Sequence, residues 1–442
     1  MSAKKLSSVD TAWYRMEEPA NPVDIGGVLI FDDIMPVDEF RELVRERFLR
    51  FEWFRQRVVE PPGGLTRPHW EDDPSFDVDN HIHHVALPEP GDKAELQRLV
   101  GDLMSEPMDL RRPLWSFTII DNYEGRSAIF ARLHHCLGDG FALAHLLLSM
   151  ADNAPEPGES HEDDISVRER LAMEFDDLVQ HPEHIKERAE LVNKTARELG
   201  HLLTLPFDPD NSLRGELSGL RRGVWSERME LSRIKELAHS LDATVNDVLM
   251  AAMCGAFRRH LLAEGDSVED MTIRAFVPVN LRPVNWIEEM DDSLGNRFGL
   301  VYLDLPVWAQ TPLTRLARLK ENMDELKESP EAVVSFGILD AVGYTPPVIE
   351  HIVQEIFGRK ASVVVTNVPG PRERLFFAGR QLEDMMFWVP HPAKLGAGLS
   401  IISYAGGVHV GARTDTAIVD EPERLVVYFE EELAALEAAA PK

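Results

Sequence analysis

The chain has 442 residues, 44% of them hydrophobic and 28% charged, and 46 Lys and Arg against 76 Asp and Glu give a formal net charge of −30. This length permits a substantial buried core and two or three domains. The acidic balance argues against nucleic acid as a partner and against wholesale adhesion to an anionic membrane, while leaving room for a local basic patch toward a small polyanion.

No stretch is apolar for long enough to span a bilayer, and no hydrophobic run follows Lys4-Lys5 as a secretory leader needs. The two cysteines, Cys136 and Cys254, sit in apolar segments, and the expectation is a cytoplasmic protein without disulfides.

In chain order, residues 6–20 read as a helix capped by Ser7 or Ser8 with Asp10 in its first turn, and 25–31 as a buried strand. Asp38 is placed as the cap of a helix carrying Phe40, Leu43, Val44, Phe48 and Phe51. Pro61-Pro62-Gly63-Gly64 breaks the chain. Residues 76–87 read as extended, with His81 and His83 on one strand face. That spacing suits a metal, but no thiolate or carboxylate set accompanies it, so a surface or hydrogen-bonded role is favoured. Residues 93–105 form an amphipathic helix. Pro113-Leu114-Trp115 opens a strand to Ile120, and 127–134 returns as its hairpin partner.

The second strand runs into His134-His135-Cys136-Leu137-Gly138-Asp139-Gly140. Histidine trades protons near neutrality, and strand alternation turns the two imidazoles to opposite faces, so they should do different jobs. A neutral histidine in a cleft can act as a general base toward a hydroxyl, amine or thiol. Asp139 either orients His135 or pairs with an arginine and fixes the loop. The second role is favoured, because Asp139 stands where the next helix begins. A Cys136 nucleophile and a metal held by His134, His135 and Asp139 are the less favoured readings.

Residues 142–150 form the following helix. Residues 152–164 read as a solvated loop, 165–203 as a charged helical stretch and 204–222 as irregular, so 152–222 is expected to connect units at 1–151 and 223–442. The second unit shows strands at 224–230, 272–279, 300–305 and 361–368, a hairpin of 399–404 with 408–412 around Gly406-Gly407, and helices at 246–262, 311–328 and 421–438. Thr244 with Asp247 reads as a capping box. Both halves mix strands and helices, which suits two similar α/β layers.

His134-His135-x3-Asp139-Gly140 resembles the motif of acyl-CoA-dependent acyltransferases of the chloramphenicol acetyltransferase and condensation-domain superfamily. Pro113-Leu114-Trp115, Thr244-Val245-Asn246-Asp247-Val248, Val277-Pro278-Val279-Asn280-Leu281-Arg282, Leu294-Gly295-Asn296-Arg297-Phe298 and Thr366-Asn367-Val368-Pro369-Gly370-Pro371-Arg372 occur in the order seen in bacterial wax ester synthase/diacylglycerol acyltransferases. The opening Leu6-Ser7, Asp10, Asn21-Pro22 and Gly26-Gly27 is also similar to theirs.

The resemblance implies an α/β fold of two chloramphenicol-acetyltransferase-like domains, with mixed β-sheets flanked by helices and a tunnel between them. It implies that His135 is the general base, His134 supports it, Asp139 braces the loop, and Gly138 and Gly140 leave room for an acyl chain. Trp115, Asn246, Asp247, Asn280, Arg282, Asn296, Arg297, Thr366, Asn367, Pro369 and Gly370 would serve substrate binding. Among them Asn246, Thr366 and Asn367 are candidates to stabilise the oxyanion, while Arg282, Asn296 and Arg297 serve either coenzyme A phosphates or domain packing.

The implied reaction moves a long-chain acyl group directly from acyl-CoA to diacylglycerol or a long-chain alcohol, without a covalent acyl-enzyme. Acyl-CoA is a co-substrate, and neither metal nor cofactor is expected. Because the products are oily, transient contact with a membrane or lipid-droplet surface is expected. The alternatives are a carrier-protein-dependent, condensation-type enzyme and a non-catalytic acyl-CoA- or droplet-binding protein.

Overall fold

The computed structural model describes residues 4–64, 66–153, 189–282 and 295–441. Helix α1 (Ser8–Arg15) is capped by Ser7, which accepts from the Asp10 N–H. It stops well short of residue 20, because Pro19 disfavours helix at the residue before it. Strand β1 (Asp24–Phe31) is buried along its length. Helix α2 (Val37–Leu43) starts after Pro36, so Asp38 lies in the first turn rather than at the cap, and the chain widens into a π turn over Val44–Phe48. Strands β2 (Gln56–Val59) and β3 (His69–Asp72) form a separate ribbon.

Strand β4 (Ile82–Ala86) is shorter than the extended stretch expected at 76–87, because Val78–Asn80 is a 3-10 turn that His81 closes. Alternation therefore begins at Ile82. His81 is buried with Nδ1 2.8 Å from the Trp115 carbonyl, His83 is exposed, and the two share no face.

Helix α3 (Lys93–Ser105), strands β5 (Trp115–Tyr123) and β6 (Arg126–His134), and helix α4 (Gly140–Leu148) follow the expected order. The loop expected at 152–164 and the helical stretch expected at 165–203 fall mostly on residues 154–188, outside the described residues; α5 (Ala189–Thr204) covers the end of the latter. The strand expected at 224–230 is two pieces, β7 (Arg221–Trp225) and β8 (Met229–Glu230). Then come α6 (Leu231–Ser240), α7 (Val245–Ala263), β9 (Ile273–Asn280), β10 (Phe298–Leu305), α8 (Pro312–Glu328), α9 (Glu331–Val342) and α10 (Pro347–Gly358). The chain closes through β11 (Val363–Pro369), β12 (Phe376–Phe377), β13 (Arg380–Trp388), β14 (Ala397–Tyr404), β15 (Gly407–Asp415) and α11 (Glu423–Ala439). The last hairpin turns at Ala405 and Gly406, both at positive φ, while Gly407 already belongs to β15.

Two mixed sheets carry the fold. The first runs β12-β13-β1-β6-β5-β4 and the second β10-β9-β11-β14-β15-β7, with β8 also paired to β15. Residues 376–388 lie within the span expected for the second unit, yet they form the outer strands of the first sheet. There β13 covers the edge of β1 that would otherwise stand unpaired. A buried ion cluster also joins the sheets: Asp24 of β1 accepts from Arg132 of β6 at 2.9 Å and from Arg413 of β15 at 3.1 Å. Among the described residues no helix is long and apolar enough to cross a membrane.

Candidate active site

β6 lies antiparallel to β1 with His134 opposite Asp24, and ends there. His135–Leu137 form a 3-10 turn, and Gly138 leads into Asp139, the N-cap of α4. His134 Nδ1 accepts from the Cys136 N–H at 3.1 Å, which places the His134 proton on Nε2, 3.6 Å from Glu17 Oε2. The His135 imidazole instead lies flat on the Trp13 indole, ring centroids 3.9 Å apart, with Phe298 at 5.4 Å. The two imidazoles thus meet different surroundings, as alternation expects, although His135 stands just beyond the strand.

His135 is buried, and its Nδ1 has no hydrogen-bond partner among the described residues. Burial pushes its pKa down to about 4, against the Asp139 carboxylate, which favours the proton. The imidazole is therefore unprotonated at neutral pH and able to accept a proton. Burial also pushes the Cys136 thiol up, keeping it in the form that is a poor nucleophile.

Asp139 Oδ1 accepts from the Ala142 N–H at 3.0 Å, capping α4. Its Oδ2 accepts from the Arg297 N–H at 3.0 Å and pairs with the buried Arg282 guanidinium, which also donates to the Gly295 carbonyl. Both carboxylate oxygens are thus committed, Oδ1 to capping α4 and Oδ2 to bracing the turn against the segment that enters β10. Asn296 completes that brace. Its Nδ2 donates to Asp10 Oδ1 at 2.8 Å and to the His135 carbonyl at 2.7 Å. Gly295 has φ +129, and a Cβ there would stand 3.3 Å from Asp10 Oδ2, so the close approach of this segment to α1 favours glycine.

An apolar cavity opens against His135, walled by Trp13, Phe141, Pro278, Phe298, Leu300, Val364, Val368, Phe387 and Val389. Of the residues singled out in the sequence, His135, Asp139, Gly140 and Thr366 line it. The others lie elsewhere. Asn367 Nδ2 donates to Asn246 Oδ1 at 2.9 Å. Asp247 forms the capping box with Thr244. Asn280 Oδ1 accepts from the Arg282 N–H at 3.0 Å. Pro369 ends β11, and the Gly370 N–H donates to the Ser403 carbonyl at 2.9 Å. Gly138 has extended backbone that any residue adopts and does not line the cavity. Trp115 packs in the core of the first half, its indole N–H donating to the Phe54 carbonyl at 2.8 Å and its ring stacked on His81.

Sequence reasoning missed Trp13 and Glu17 as neighbours of the two histidines. Asp10, Trp13 and Glu17 recur at helical spacing, and that signal was available.

A second apolar cavity shares Leu300 and Pro392 with the first and extends between Phe276, Tyr302, Ile338, Leu339, Val353 and Phe357. On the opposite side of the turn, Cys136 and Leu137 border a cleft of about 950 Å³ that also holds Lys4, Lys5, Arg50, Arg67, Trp53 and Trp70. The turn thus lies between apolar space and a cation-rich cleft. That arrangement allows a neutral base to act on a hydroxyl at the end of an oily chain.

Residues 6–249 match the family model described as the wax ester synthase/diacylglycerol acyltransferase catalytic domain, and residues 294–437 match that of the WS/DGAT C-terminal domain. The chain is 27% identical to the probable diacylglycerol O-acyltransferase tgs1 of Mycobacterium tuberculosis, over 99% of this chain and 96% of that protein. Its fold is similar to the wax ester synthase/diacylglycerol acyltransferase of Marinobacter aquaeolei VT8, with a TM-score of 0.71, 23% identity and 99% of each chain covered. It is also similar to the first condensation domain of the calcium-dependent antibiotic synthetase, with a TM-score of 0.63 and 15% identity over 98% of this chain and 95% of that one. The chain therefore belongs to the wax ester synthase/diacylglycerol acyltransferase family, and its two mixed sheets with flanking helices are that family's α/β fold.

Proposed function

We propose that this protein transfers a long-chain acyl group from acyl-CoA to diacylglycerol or a long-chain alcohol, giving triacylglycerol or wax ester, with His135 as the general base. The observation that carries this reading is the neutral, buried His135 imidazole at the wall of an apolar cavity. The names of the relatives supply acyl transfer and the acceptor classes, and the resemblance of His134-His135-x3-Asp139-Gly140 to acyl-CoA-dependent acyltransferases supplies the donor.

In this reading the acceptor O–H bond breaks as its proton passes to His135. The oxygen forms a C–O bond to the thioester carbonyl, the C–S bond breaks, and the proton leaves with the coenzyme A sulfur. Thr366, the one oxyanion candidate that borders the cavity, would donate to the developing oxyanion in this reading. The cations Lys4, Lys5 and Arg50 suit the phosphates of coenzyme A, and the chemistry requires no further cofactor. Asp139 and Arg282 hold the turn, and the enzyme meets its oily acceptor at a membrane or droplet surface.

Purified protein given palmitoyl-CoA with diolein or hexadecanol should release free thiol. Failure across a panel of alcohols would sink the reading. Turnover with an acyl-carrier protein but not with acyl-CoA would select a condensation-type donor, and acyl-CoA binding without thiol release would select a binding protein.

A further inference from the structure

Helix α10 exposes much of its apolar surface. Its Glu350 is buried, facing Arg15 at 3.6 Å and accepting from Gln354 Nε2 at 3.2 Å. Four of its apolar residues face solvent: Val348 is 72% exposed, Ile349 48%, Ile352 54% and Ile356 42%. The spacing of 348, 352 and 356 makes one stripe along the helix, and Tyr344, 65% exposed, extends it. A surface helix normally shows the reverse pattern, and a contiguous apolar patch of this kind marks a contact surface.

Two further observations identify what it contacts. Cations flank the stripe in a chain whose net charge is −30. Arg359 follows the last turn of α10 with its guanidinium 4.3 Å from the ring centre of Phe207, Arg67 lies 4.9 Å from that of Tyr344, and Lys394 stands nearby, largely exposed. Glu18 pairs with Lys394 and with His351 of α10, and Glu355 is the exposed carboxylate on the helix itself. The second observation concerns the underside. Val353 and Phe357 of α10 line the second apolar cavity together with Phe276 and Leu300, and that cavity shares Leu300 and Pro392 with the lining of the His135 cavity. Shared apolar lining thus links the inner side of α10 to the wall of the His135 cavity.

We infer that α10 is the docking helix for a lipid surface bearing anionic headgroups, with its stripe in the acyl layer and Arg67, Arg359 and Lys394 at headgroup level. The acyl acceptor passes beneath it toward His135. The docking stands on the surface alone; the acceptor's route rests on the proposed acyl transfer. A second copy of the chain could cover the stripe, but it would leave the flanking cations and the cavity below without a purpose.

Flotation of the full chain with phosphatidylcholine vesicles, with and without phosphatidylglycerol, tests the inference. The wild type should float with the anionic vesicles, and the Val348→Asp/Ile352→Asp double variant should lose at least about tenfold of that binding. Thiol release from octanoyl-CoA with a short water-soluble alcohol should be unchanged in the variant, while turnover of vesicle-borne diolein falls. An Ile352→Cys variant carrying an environment-sensitive dye should report an apolar setting on vesicle addition, since both native cysteines are buried. Equal flotation of wild type and double variant, no flotation of the wild type, or a wild-type dimer that the double variant splits without change in flotation would each overturn the docking. Absence of thiol release by the wild type with the short alcohol would count against acyl transfer and leave the flotation result intact.

Discussion

Trp13 and His135 lie face to face, their ring planes inclined by only 16°. The indole comes from α1 and the imidazole from the turn after β6, so the first helix of the chain sets the attitude of the candidate base. Trp13→Leu should lower kcat roughly tenfold, the scale of an aromatic stacking term of about 0.5–1.5 kcal/mol. Trp13→Phe should retain most of the activity. Initial rates with melting temperatures measured alongside separate loss of positioning from loss of fold.

Asp139 and Arg282 meet across 143 residues of sequence, buried on both sides. Removing one partner strands the other, at a cost of about 3–5 kcal/mol. Asp139→Ala and Arg282→Ala should therefore unfold at clearly lower urea concentration, each with a matching drop in turnover. A proton-relay role for Asp139 predicts something else: turnover lost on Asp139→Ala and kept on Arg282→Ala.

The pH dependence follows from burial of His135. Its folded pKa of about 4 lies below the ordinary 6.5, so kcat/KM should stay level from neutral pH down to about pH 5 and fall below it as the base protonates. The same shift makes the group's contribution to stability present above about pH 6.5, and lost as pH drops from there toward 4. An acid limb in kcat/KM centred near 6.5 would show that the base is not this buried imidazole.

The Asp24 cluster predicts a second acid sensitivity. Burial works against ionisation of Asp24, but the Arg132 and Arg413 guanidiniums overcome it and hold the carboxyl well below the usual carboxylate range. Its contribution is present above the ordinary carboxylate pKa of about 4 and is lost as pH falls below it. Asp24→Asn should be less stable than the wild type at neutral pH, and its melting temperature should depend less on pH in the acid range.

Elements with local signals were legible. Helices α3, α7, α8 and α11 carry regular periodicity or a capping residue, and α7 has the capping box that Thr244 and Asp247 announce. Helix α9 escaped because it is apolar over most of its surface, and α10 because apolar residues stand on both its inner and its outer side. The place of β13 beside β1 is a long-range pairing that no local pattern encodes.

The site shows the same division. Asp139 reads as a cap and brace from its position alone, and the geometry agrees. The link from Asp10 through Asn296 to the His135 carbonyl joins segments 286 residues apart and leaves no local trace. Trp115 stands in a conspicuous Pro-Leu-Trp segment, yet its ring is occupied by His81 and the Phe54 carbonyl.

The central claim is that His135 takes the proton from the acceptor hydroxyl. The most direct measurement is thiol release from palmitoyl-CoA by His135→Ala, with diolein and hexadecanol as acceptors and the fold checked by circular dichroism. The account predicts a folded protein whose turnover is lower by about 10²–10⁴, the usual worth of a positioned general base. A folded His135→Ala enzyme with turnover close to wild type would contradict it.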